Sequence, residues 1–104
     1  MDIRELTEEM NRFVEAQGWY AEHSPCPQTP RSIAISLALE AAEVLEHFQW
    51  GESADRSGLA GELADVALYL LQLSYLTEID LEQAILEKLA ANYERDWAEK
   101  DQRV

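Results

Sequence analysis

Ile33-Ala-Ile-Ser-Leu-Ala-Leu-Glu-Ala-Ala-Glu-Val-Leu-Glu-His-Phe-Gln-Trp50 and Gly61-Glu-Leu-Ala-Asp-Val-Ala-Leu-Tyr-Leu-Leu-Gln-Leu73 decide the fold. Each is an apolar run that carries two carboxylates three residues apart, Glu40 with Glu43 and Glu62 with Asp65. Residues at i and i+3 share one face of a helix, so both runs read as helices with an acidic patch on an otherwise apolar surface. Glu40 shares its face with Ile33, Leu37 and Val44, and Glu62 shares its own with Val66 and Leu73. Carboxylates on a core-facing stripe are costly unless a positive charge joins them. Four converging carboxylates are donors for a hard cation. For one pair alone an exposed helix margin would be the simpler account, since charged side chains are mostly solvated. Two pairs, each set in apolar sequence, favour the cation.

Outward from these runs the chain reads as four helices. Helix one is expected from about Asp2 to about Gly18, started by an Asp2/Glu5 capping box. Gly18 to Pro30 is a loop interrupted by three prolines. Thr29 is the N-cap of helix two, Pro30 its first residue, and Gly51 its stop after Trp50. Helix three is expected from about Leu59 to about Glu78. Asp80 and Gln83 make a second capping box for helix four, which runs to about Glu99. No strand alternation or repeat occurs. The fold class is therefore all-α, a four-helix bundle in one domain, 1–104. Helix three is apolar nearly all round, from Leu63 through Leu68, Leu70 and Leu71 to Leu76, and such a helix must be covered all round. Three short partners cannot cover it, so a homodimer or homotetramer is expected to complete the bundle.

The 104 residues carry a formal charge of −13. That excludes a nucleic acid polymer as partner, which needs a basic footprint, and an anionic membrane surface. Small phosphorylated ligands stay open because bound divalent cations reverse the local sign. Met1-Asp-Ile-Arg-Glu is charged and reads as no signal peptide, and no uncharged run of about twenty apolar residues suggests a membrane span. The single Cys26 forms no intrachain disulfide, so a cytoplasmic location is expected.

Glu40, Glu43, His47 and Trp50 are spaced i, i+3, i+7 and i+10, as are Glu62, Asp65, Tyr69 and Gln72. Each stripe would set aromatics beyond its acids. Facing acids could hold Mg²⁺, which takes carboxylates, water and substrate phosphate. Di-iron chemistry would need Glu-x-x-His motifs, and zinc would need nearby Cys and His ligands; neither is present. Lys88, Asn92 and Arg95 form a stripe on helix four that could clamp phosphate oxygens, although an intrahelical ion pair explains Arg95 as well. Trp19 and His23 in the loop could contact a planar ligand, or serve as a packing anchor and a surface residue. Glu46, Glu52 and Asp55 read as solvated surface, and Cys26 as exposed and without a role.

The words Glu40-Ala-Ala-Glu-Val-Leu-Glu-His-Phe-Gln-Trp50 and Glu62-Leu-Ala-Asp-Val-Ala-Leu-Tyr69, with Ile79-Asp80-Leu81 and Lys88-x-x-x-Asn92, resemble the MazG-like all-α nucleoside triphosphate pyrophosphohydrolases, in their short dCTP-pyrophosphatase-like branch. The resemblance spans about residues 10 to 95. It implies Mg²⁺-dependent cleavage of a (d)NTP between the α and β phosphates to a (d)NMP and pyrophosphate, and assembly as dimers or dimers of dimers. Mn²⁺ would be an alternative ion. It implies metal binding by Glu40, Glu43, Glu62 and Asp65. It also implies a base pocket from Trp50 and Trp19, with Tyr69, Lys88 and Asn92 as further substrate contacts. Glu43, or else Glu40, would take the proton of the attacking water, and Lys88 would neutralise the departing pyrophosphate. His23-Ser24-Pro25 matches the first half of the family's loop motif and Pro30-Arg31-Ser32 the second, with about five extra residues between them. The competing reading is a non-catalytic acidic helical module that only binds partners.

Overall fold

The computed structural model describes residues 1–95. Four helices follow one another: α1 (Ile3–Ala16), α2 (Pro30–Glu46), α3 (Arg56–Leu76) and α4 (Leu81–Glu94). No strand occurs among the described residues. The expected continuation of helix four to Glu99, and Trp97 within it, lie outside them.

Local signals start the helices largely as read. Asp2 and Glu5 close a reciprocal capping box on α1, with the Glu5 amide donating to Asp2 Oδ1 at 2.8 Å. Thr29 caps α2 with Pro30 at its first position, and Ser32 completes a second reciprocal box. Two starts differ from expectation. Asp55 caps α3 by accepting from the Gly58 amide at 2.8 Å, so it is structural and α3 begins at Arg56 rather than Leu59. The Asp80 pair is half a capping box: the Gln83 amide donates to Asp80 Oδ1, but the Gln83 side chain turns to Glu87.

The ends are set by turn geometry. At α1 the Trp19 amide reaches back to the Val14 carbonyl and the Gly18 amide to Glu15, with Gly18 at φ 77°. This Schellman closure needs the left-handed backbone that glycine adopts without strain. It folds Trp19 onto Phe13, ring centroids 5.7 Å apart and edge to face. Helix α2 stops at Glu46, four residues before Trp50, because residues 47–51 pass into i→i+3 turns. The acid-and-aromatic stripe therefore does not extend helically to Trp50.

Helix α3 packs along α2 and, less extensively, α1; α4 makes no comparable packing within the chain. The α2–α3 joint is tight at Gly58, where a Cβ would stand 3.0 Å from Asp55 Oδ2 and 3.2 Å from His47 Cε1. Among the described residues the buried apolar side chains are Met10, Val14, Ile33 and Leu71. Leu71, expected to need a second copy, is covered by α1 of its own chain. Exposed apolar side chains outnumber these. Ile35, Leu39 and Leu45 on α2, Leu63 and Leu70 on α3, and Ile85, Leu86 and Leu89 on α4 all face outward. The radius of gyration is 16.5 Å, against about 13 Å for a compact domain of this length. Helix α3 also has the length and mean hydropathy, 1.2, of a membrane span. Glu62 and Asp65 stand inside it, and acids at such a depth are costly in lipid.

Candidate metal centre and the adjoining cavity

The α2–α3 seam brings carboxylates from both helices together. One oxygen each from Glu40, Glu62 and Asp65 lie within 4.8 Å of one another. Glu40 Oε2 is buried and has no hydrogen-bond partner. The Glu40 carboxyl is held above its ordinary range, chiefly by the Glu62 carboxyl beside it, and further by burial and by Asp65. Glu43 stands outside the close triad and is exposed. Its carboxyl is also raised, chiefly by Glu40. An unpartnered buried oxygen among mutually repelling oxygen donors fits a hard divalent cation. On the far side of the triad, His47 Nε2 lies 3.6 Å from Glu62 Oε1.

Raised carboxyl pKa values carry a sign. Without a cation, protonated Glu40 and Glu43 are favoured in the folded state, so their contribution to stability is greatest below the ordinary 4.5 and is lost as pH rises through their folded values. Thermal melts of the metal-stripped protein should show this part of its stability falling from mildly acidic pH towards neutrality. Added Mg²⁺ should reverse the fall, and an unchanged melting temperature with Mg²⁺ at neutral pH would argue against a cation site.

Beside the acids lies a cavity of about 730 Å³ between α1, the 17–29 loop, α2 and α3. Glu40 and Asp65 are part of its wall; Phe13, Trp19, Leu68 and Tyr69 supply aromatic and aliphatic surface; Gln28, Ser32, Ser36 and Gln72 supply polar groups. Of the sequence candidates, Trp19 and Tyr69 reach this cavity together with the acids. His23 is exposed and does not line it. Trp50 is 92% exposed in the turn after α2. Lys88 is exposed on α4, and Asn92 is half-buried there; neither lines the cavity.

Sequence reasoning missed Gln28, which has no motif signal; it placed Gln72 on the Glu62, Asp65 and Tyr69 stripe but gave it no role. It also gave Cys26 no role. The Cys26 carbonyl in fact accepts from Gln28 Nε2 at 2.7 Å, and Cys26 lines the cavity. The extra loop residues between Pro25 and Pro30 thus build part of the wall.

An all-α scaffold whose two central helices pool carboxylates beside a cavity lined largely by apolar side chains has the donors for a cation next to space for an organic ligand. Comparison with known proteins narrows the reading. The crystal structure of a pyrophosphatase from Archaeoglobus fulgidus superposes with a TM-score of 0.72 at 34% identity, over 86% of this chain and 87% of the other. dCTP pyrophosphatase 1 of rat is 32% identical over 90% of this chain. The bovine and human proteins of that name are each 34% identical over the same share. The chain spans 56–57% of the length of these curated relatives. No family model matches it. The chain belongs to the MazG-like, dCTP-pyrophosphatase-like family of all-α pyrophosphohydrolases.

Proposed function

We propose that the chain is a Mg²⁺-dependent nucleoside triphosphate pyrophosphohydrolase, acting in the cytoplasm. It would cleave a pyrimidine dNTP such as dCTP between the α and β phosphates to the dNMP and pyrophosphate. The observation that carries this reading is the Glu40–Glu62–Asp65 cluster, which has a buried, unpartnered oxygen and two members that line a base-sized cavity. The relatives' names support the substrate.

Glu40, Glu62 and Asp65, with Glu43 at their edge, would hold Mg²⁺, or Mn²⁺ in its place. The bound ions supply charge neutralisation of the triphosphate and a water of lowered pKa. The chain's residues do the rest. Glu43, outside the close cluster, is the carboxylate best placed to accept the water proton, with Glu40 the second choice. Trp19 and Tyr69 line the space for the base. Lys88 and Asn92 would come to the phosphates in a homodimer or homotetramer, and Lys88 would offset charge on the departing pyrophosphate. Incubation with Mg²⁺ and a panel of nucleoside triphosphates should release pyrophosphate and the monophosphate. Release of orthophosphate, or no turnover, would favour a different hydrolase or a non-catalytic acidic module.

Trp50 provides a separate test. At 92% exposure it is no core anchor within the chain. Trp50→Ala should leave the melting temperature of the protomer fold nearly unchanged while raising KM about tenfold, the order of one lost base stack. An unchanged KM would remove Trp50 from the nucleotide site.

A further inference from the structure

The polar side of the cavity is a short relay of fixed orientation. Gln72 is 3% exposed near the C-terminal end of α3, an uncommon burial for an amide. Its Nε2 donates to Gln28 Oε1 at 2.6 Å and, at 3.5 Å, towards the Tyr20 hydroxyl oxygen. Both neighbours are themselves fixed. Gln28 Nε2 donates to the Cys26 carbonyl at 2.7 Å, so Gln28 must turn its oxygen to Gln72. The Tyr20 hydroxyl donates to Asn11 Oδ1 at 2.6 Å, so its oxygen is left to accept. A reversed Gln72 amide would set its oxygen against two oxygens. The network therefore dictates that Gln72 spends its N–H groups on the protein.

That leaves Gln72 Oε1. Among the described residues it has no hydrogen-bond partner, it is not among the fully enclosed unpartnered atoms, and Gln72 lines the cavity. An unpaired acceptor on a wall that also carries Trp19 and Tyr69 selects what faces it. We infer that Gln72, held by Gln28, is the specificity-determining residue of the cavity: its carbonyl oxygen accepts from an exocyclic amino group of the bound base. A base with a keto oxygen at that position would bring acceptor against acceptor and leave both desolvated. Discrimination is strong when a buried polar group is left unpaired by the wrong ligand. The inference rests on the proposed nucleotide hydrolysis and adds to it the group that reads the base.

The experiment compares kcat/KM for bases that exchange an exocyclic amino group for a keto oxygen, with the adjacent ring nitrogen turning from acceptor to donor, dCTP with dUTP and dATP with dITP, in the wild type and two variants. The wild type should favour the amino member of a pair by about tenfold or more, the equivalent of one hydrogen bond lost in a desolvated site. Gln72→Met keeps the length and removes the acceptor; its preference should fall to near parity through a loss on the amino substrate. Gln28→Met leaves Gln72 in place but frees its amide to turn, and it should bring parity by raising activity on the keto substrate. That gain cannot come from mere destabilisation, so it keeps the test decisive if Gln72→Met folds poorly. A wild type that turns over nucleotides with no amino preference, or a Gln28→Met variant that retains the wild-type ratio, overturns the assignment of Gln72 and leaves the hydrolytic reading standing. A wild type that hydrolyses no triphosphate overturns both.

Discussion

Glu62→Gln should lower turnover by on the order of 10³-fold while the protein stays folded, and Glu40→Gln should do the same. The loss follows from removing one charged donor of a cation site that contributes several kcal/mol to transition-state charge stabilisation. The amide is nearly isosteric, so packing along the α2–α3 seam is kept. Metal-stripped protein provides the second half of the test. Glu40 is raised by Glu62 and Glu43 by Glu40, so removal of either negative charge relieves repulsion. The variants should therefore melt at or above the wild-type temperature in chelator, yet gain less from added Mg²⁺. Retained activity in both variants would rule out the proposed metal site.

The second large effect concerns association. On α2 the side chains divide by direction: Ile33 is buried in the chain, Glu40 and Glu43 face the seam, and Ile35, Leu39 and Leu45 are more than half exposed on the remaining arc. Leu63 and Leu70 make a similar exposed row on α3. Each such residue contributes roughly 1.5–3 kcal/mol when fully buried. A covered arc of this size accounts for several kcal/mol that a single chain with so small a core lacks. The wild type should sediment as a dimer or larger species at micromolar concentration. Leu39→Glu, at 63% exposure on the outward arc of α2, should shift it to monomer and lower the melting temperature by roughly 10 °C or more. A wild type that sediments as monomer would overturn this and leave the outward rows without a function.

The helices and the acidic cluster were legible in the sequence because they depend on local chemistry. Asp2 with Glu5, and Thr29 with Pro30, are complete within four residues, and a carboxylate pair at i, i+3 declares its own face. The end of α2 was not legible. Apolar spacing continues through Phe48 and Trp50, and Gly51 suggested a later stop, whereas the chain departs from helix after Glu46. The Asp55 cap escaped because no Glu or Gln stands three residues on; Gly58 does, and its amide alone closes the turn. The amide relay was invisible for a different reason. Gln28 and Gln72 are 44 positions apart and meet only when the loop folds over α3.

Gly58 carries one more consequence. Where α2 hands over to α3, a methyl group on Gly58 would press on the Asp55 carboxylate and the His47 ring, which would have to yield by a few tenths of an ångström. The close fit there adds to the packing along the α2–α3 seam that holds the acid-bearing helices together. The loop over residues 17–29 lies outside that joint, and it holds Trp19, Cys26 and Gln28, which line the cavity. Chemistry and recognition therefore sit on supports that can diverge independently. Exchanges in the loop can reshape the ligand side while the carboxylates, carried by the α2–α3 seam, keep their places.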